Sequence, residues 1–101
     1  MFNLFKKNNK NSWTFKCQPN SIAFTTQSII KGDKKILRVI SDKTDNSWQF
    51  LPNETINTNN AAVISLKEIY ELDNSIAKLL DLSAGFVATR NKISGKWKIE
   101  E

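Results

Sequence analysis

The sequence predicts an α+β fold: a single small domain, mostly antiparallel sheet, with two or three short helices packed on one face. Three observations carry that expectation. The chain has 101 residues, 40% apolar and 25% charged, which is the size and composition of one globular domain. Short segments such as Trp13-Thr14-Phe15-Lys16-Cys17 alternate large apolar with polar residues at the period of a half-buried strand. Farther on, Ser65-Leu66-Lys67-Glu68 spells the S-x-x-E box that opens a helix, with Ser65 as N-cap and Glu68 as its reciprocal partner.

The elements follow in order. Residues 1–11, MFNLFKKNNKN, are rich in Lys and Asn after a small apolar patch, and read as a flexible basic arm; residues 12–101 form the domain. In the Trp13–Cys17 strand, Trp13, Phe15 and Cys17 share the inward face. After Pro19-Asn20, a short strand over Ser21–Thr25 leads to a helix from Gln27 to Lys31, capped by Thr25 or Thr26 and stopped by Gly32. Ile36–Ile40 is β-branched and bounded by turn residues, so it reads as a strand. The loop Lys43–Ser47 turns it back into Trp48–Leu51, a hairpin with Trp48 and Phe50 on one face. Pro52 ends that strand, and residues 53–60 have loop composition.

Ala61–Ile64 reads as a brief buried strand running into the capping box. The helix behind the box puts Leu66, Ile69 and Tyr70 on one side. Prolonging that face would bury Asp73 without a partner, which is costly. The chain is therefore expected to break there, with Asp73 capping a second short helix, Asn74 to Leu80, whose apolar side is Ile76, Leu79 and Leu80. A last hairpin pairs Phe86–Arg90 with Lys96–Ile99, burying Trp97 and Ile99.

Composition removes several kinds of chemistry. Histidine is absent and Cys17 is the single cysteine, so imidazole-based nucleophile systems and common zinc sites have no ligands or base. Cys17 on an apolar strand face is expected to be inert. The three glycines stand apart and make no phosphate cradle. Asp42–Ser47 echoes the start of a calcium loop but lacks its central Gly and bidentate Glu, and reads as a solvated turn. No carboxylate pair stands out for acid–base work. No catalytic residue, cofactor or metal is therefore expected. No stretch approaches the roughly 20 apolar residues that span a bilayer, and MFNLFKK lacks the pattern of a secretory signal, so a cytoplasmic protein is expected.

The net charge is +5, with Lys6, Lys7, Lys10, Lys16, Lys31, Lys34 and Lys35 all in the N-terminal half. That asymmetry suggests nonspecific nucleic-acid binding. Only Arg38 and Arg90 are arginines, however, and arginine is the residue favoured for base and phosphate forks. The aromatic residues alternate as core positions and do not interleave with lysines.

The order of motifs adds a resemblance. Ile36 to Leu51 carries IL-x-V-x-x-D followed by D-x-S-W-Q-F-L, and Ser65 to Leu82 carries SL-x-E-I-x-x-LD and then LLDL. Together with G-F-V-A-T-R and the terminal K-W-K, this resembles a bacterial domain-of-unknown-function family grouped with polymorphic-toxin immunity proteins, the immunity protein thirty-three family. The resemblance runs from Trp13 to Trp97. Relatives read D-L-P-x-G-x-x-A-x-R, whereas Ser83 stands here in place of Pro, with Gly85, Ala88 and Arg90 matching. The resemblance implies a non-catalytic protein that binds and blocks a toxin of the same cell; it supplies no toxin-contact residue.

Candidate partner contacts are therefore read from chemistry. Trp48 and Arg90 are interface-prone residue types, and Asp42 and Asp45 sit at a strand end. Glu68 and Glu71, with Glu54, Asp73 and Asp81, would supply an acidic patch for a basic partner. Structural alternatives stand beside them: Trp48 as core, Arg90, Asp42 and Asp45 in a salt bridge or helix-end contact, and Glu68 and Asp73 as cap residues. Without such a patch, a +5 protein is matched to an acidic or neutral partner.

Overall fold

A computed structural model describes residues 13–55 and 57–101. The expected arm, residues 1–11, lies outside the described residues. The domain is α+β, and its sheet has six strands. These are β1 (Ile22–Thr26), β2 (Arg38–Ser41), β3 (Trp48–Leu51), β4 (Ala61–Ser65), β5 (Phe86–Thr89) and β6 (Lys98–Glu100). Their spatial order is β4-β1-β3-β2-β5-β6. Four neighbouring pairs are antiparallel, and β1 with β3 is parallel. The parallel pair arises because the chain leaves β1, passes beyond it to lay down β2, and turns back so that β3 fills the gap.

The helices are α1 (Gln27–Ile30), α2 (Leu66–Leu72) and a 3₁₀ helix, Asn74–Asp81, with a further 3₁₀ turn at Thr58–Asn60. Thr26 caps α1 through its side chain, and Gly32, at φ 85°, supplies the left-handed residue that ends the turn. Ser65 and Glu68 form the reciprocal capping box at α2. Asp73 caps the 3₁₀ helix by accepting the Ser75 backbone N–H. The break at Asp73 is as expected. Leu66, Ile69, Ile76, Leu79 and Leu80 pack with Ala23, Val39, Trp48, Phe50, Phe86 and Ala88 of the sheet's inner face, and Ile29 of α1 joins the same core.

Four expectations need correction. Trp13–Cys17 is not a strand. Its side chains do alternate half-buried and exposed, but the Trp13 indole donates to the Cys17 carbonyl at 2.8 Å, and the Lys16 backbone N–H goes to the Asp81 carboxylate at 3.0 Å. Backbone groups spent on side chains are lost to a ladder. The second strand begins at Arg38, not Ile36: Leu37 still bonds the Leu51 carbonyl and the Arg90 backbone N–H at the end of the ladder, whereas the Ile36 carbonyl is given to the Arg90 guanidinium at 3.0 and 2.8 Å and is lost to pairing. β4 is an edge strand, not a buried one, and Ala61 and Val63 are exposed. Finally, β6 is exposed along its whole length. Ile99 pairs with Ala88 on the inner face, yet the helical layer stops short of that edge; Trp97, just before the strand, is the residue that packs on the core.

Candidate interaction surface

The residues singled out from the sequence fall in three places. Trp48 and Arg90 are inside, Asp42 and Asp45 share the β2–β3 turn, and Glu68 and Glu71 lie on the exposed side of α2.

Trp48 stacks on Phe50, with ring centroids 5.9 Å apart at 8°, and meets Phe86 edge-on. Arg90 is 4% exposed and fully engaged. It donates twice to the Ile36 carbonyl, once to the Ile93 carbonyl at 2.9 Å, once to the Ser75 hydroxyl, and forms an ion pair with Asp73 at 3.0 Å. The Trp97 ring lies 4.1 Å from its guanidinium carbon. Burial pulls the Arg90 pKa below its ordinary value, and Asp73 opposes that shift. Arg90 thus ties β5 to the chain before β2, to the start of the 3₁₀ helix and to the β5–β6 connection.

The acidic residues are also occupied locally. Asp42 accepts from the Thr44 backbone N–H at 2.8 Å and from the Thr44 hydroxyl, and these bonds hold its carboxyl below the usual range. Asp45 accepts the Ser47 backbone N–H at 3.0 Å and the Ser47 hydroxyl at 2.7 Å. Both stabilise the tight turn in which Asn46 takes φ 59°. Glu68 is held below its ordinary pKa by the Ser65 backbone and hydroxyl. Of the remaining acids, Glu54 pairs with Lys34 at 3.3 Å, Asp73 with Arg90, and Asp81 with the Lys16 backbone. Among the described residues no three Cys, Asp or Glu side chains gather as metal ligands, and no helix is long and apolar enough to cross a membrane.

The lysines divide similarly. Lys31, Lys34 and Lys35 line one groove, of about 270 Å³, and Lys16 lines a different cleft. Lys6, Lys7 and Lys10 lie outside the described residues. Burial raises the Cys17 thiol to about 11, which keeps it protonated at neutral pH.

The surface that sequence reasoning missed is the outer face of the sheet. The strand pairings place Val63, Phe24, Gln49, Ile40 and Val87 in one row across five strands. Ile22 and Leu51 flank it on the same face. The buried side chains of all three helices belong to the inner core, so among the described residues no helix covers this outer face. Val63, Ile22 and Phe24 are 60%, 53% and 42% exposed. Arg38 stands on the same face opposite Leu51 and Thr89, exposed and without an ion-pair partner among the described residues. The signal was present in Ile22-Ala23-Phe24 and Val39-Ile40, where apolar residues occupy both phases of the strand period. A strand covered on one side only needs one apolar phase. Comparison of the chain with protein-family models, with curated proteins and with solved structures finds no match.

Proposed function

We propose that this chain is a non-catalytic protein-binding module acting through the outer face of its sheet, and that its task is to bind and neutralise a toxin of the same cell in the cytoplasm. The observation that carries the binding part is the open row Val63–Phe24–Ile40–Val87 with Arg38 beside it. Its exposed part is the cluster Ile22, Phe24 and Val63, and Gln49 separates this cluster from the half-buried Ile40 and Val87; an exposed apolar cluster beside polar groups is typical of an interaction site. Phe24 is an exposed aromatic on this face, and Arg38, two strands away on the same face, has no ion-pair partner among the described residues; aromatic and arginine side chains are the types that concentrate binding energy in interfaces. The toxin part rests on the resemblance of Ile36–Leu51 and Ser65–Leu82 to the immunity family.

Charge narrows the partner. Three acids of the supposed acidic patch, Glu54, Asp73 and Asp81, are engaged within the domain. The net charge of +5 and the free guanidinium of Arg38 therefore favour a partner with an apolar surface that carries a carboxylate opposite Arg38. Nucleic-acid binding is the competing reading, and the test separates the two.

The test uses the full chain as bait in nuclease-treated and untreated lysates of the source cell, alongside its Phe24→Lys and Arg38→Glu variants. A retained protein is then purified and titrated against all three forms. The expected result is a one-to-one complex that survives high salt and weakens at least tenfold in each variant, with co-expression abolishing that protein's toxicity. Equal binding by the variants would remove the outer face from the account. Retention of nucleic acid alone, lost as salt rises, would replace the reading.

A further inference from the structure

Two buried hydrogen-bond donors mark a second site, at the end of the sheet where β2 stops and β3 starts. Ser41 and Trp48 face each other across the β2–β3 ladder, on the inner side of the sheet. They are 3% and 5% exposed. The other buried polar residues all have protein partners. Thr25 donates to the Phe50 carbonyl at 2.8 Å, Thr26 accepts from the Ile29 backbone, and Arg90 makes the network described above. The other two indoles are satisfied as well, Trp13 by the Cys17 carbonyl and Trp97 by the Ser75 carbonyl. The hydroxyl of Ser41 and the indole N–H of Trp48 have no such partner among the described residues. Buried donors are ordinarily paired, and adjacent exceptions call for a physical reason.

Both residues line the same cleft, of about 390 Å³, at the low end of the range of small-molecule sites. Its wall is rich in donors and has no carboxylate. An indole N–H and an ammonium only donate, and here Lys16 provides the ammonium, while Gln18 and Asn46 add amide groups. Leu80 and Leu82 provide the apolar side. Asp81, between them in sequence, is not part of the lining; its carboxylate accepts the Lys16 backbone N–H from outside and keeps its charge, which reaches the lining residue Cys17, so the Lys16 ammonium has to outweigh it. An acceptor head with a short hydrocarbon body would match this wall on both counts.

The geometry points to a binding site for a small apolar carboxylate, its oxygens accepting from Trp48 Nε1 and Ser41 Oγ and its charge balanced by Lys16. This site is on the helix-covered side of the sheet and independent of the outer-face reading. The ligand is either a free short-chain acid or the C-terminal carboxylate of a peptide, and the two share the recognised chemistry.

The test titrates the ¹⁵N-labelled full chain with hexanoate, with N-acetyl-leucine and with hexanol, following the three indole N–H resonances. Trp13→Phe and Trp97→Phe identify the Trp48 signal by elimination. A saturable shift of the Trp48 resonance is expected with a carboxylate probe, at least tenfold weaker with hexanol. Ser41→Ala and Lys16→Met should each weaken it about fivefold or more while leaving the rest of the spectrum in place. A response to hexanoate alone assigns a free acid, to N-acetyl-leucine alone a peptide terminus, and to both a site that reads only the carboxylate and its apolar neighbour. If neither carboxylate saturates at tens of millimolar, or hexanol does as well as they do, the proposal is wrong.

Discussion

Arg90 combines a buried charge with a structural role that only the folded chain reveals. Its guanidinium spans residues 36, 73, 75, 93 and 97, so the energetics of one side chain bear on three segments besides its own. Leaving such a charge unpaired is far more costly than never burying it. Asp73→Asn is the informative substitution, because Asn caps a helix as well as Asp does and only the negative charge is lost. It is expected to cost about 2–3 kcal/mol, since Arg90 keeps its carbonyl acceptors but loses its counter-charge. Urea unfolding at pH 7 measures it, and a loss below about 0.5 kcal/mol would mean that solvent already screens the pair. Sequence reasoning found the cap at Asp73 from the local break in the apolar stripe. It also anticipated a salt bridge for Arg90, but not its partner, because no spacing rule connects positions 17 apart on different elements. The donor pair Ser41 and Trp48 was hidden for the same reason. Trp48 was legible as core, but whether a core indole finds an acceptor depends on neighbours that only the fold supplies.

Elements were legible where their signals were local and failed where side chains from elsewhere claimed the backbone. The capping box, the Thr26 cap and the Lys43–Ser47 turn each depend on residues within three or four positions, and each forms as read. Trp13–Cys17 has the alternation of a strand, yet its own indole and the distant Asp81 take the groups a ladder would need. Ile36 is lost from β2 because its carbonyl goes to the Arg90 guanidinium. Within α2, Glu68 has two uses that the sequence could not separate, as acidic patch and as cap. Its carboxylate receives the Ser65 backbone N–H at 2.9 Å, so reversing its charge would damage the helix as well as the surface. Glu71, exposed on the same helix, is the cleaner probe of charge. Ser65→Ala is expected to cost about 1 kcal/mol. Adding Glu68→Ala should cost less than the two single losses combined, because both bonds belong to one reciprocal motif. A double-mutant cycle on chemical unfolding measures this, and strict additivity would mean that the two bonds form independently.

At the scale of the whole molecule, the fold class follows from the sequence but the sheet order does not. Antiparallel hairpins can be read from turns, whereas placing β3 between β1 and β2, and β4 outside β1, depends on which edges close the core. That order also decides which apolar residues are left in the open. Ala23 and Phe24 are neighbours in sequence, yet Ala23 is sealed beneath the helices and Phe24 stands on the uncovered face. The two sides of the sheet should therefore respond differently to the same kind of change. Phe50→Ala, on the inner face, removes a fully buried ring and is expected to cost about 3–5 kcal/mol through lost transfer energy and the cavity left behind. Phe24→Thr replaces one good strand former with another, opens no cavity, and is expected to change stability by less than about 1 kcal/mol. Denaturant unfolding of the two variants gives the comparison directly. A loss at Phe24 as large as that at Phe50 would show that the isolated chain already covers its outer face, and the surface on which the proposed partner docks would no longer be free. A small loss at Phe24, together with weakened partner binding in Phe24→Lys, would separate stability from recognition: one face of the sheet holds the domain together and the other remains for association.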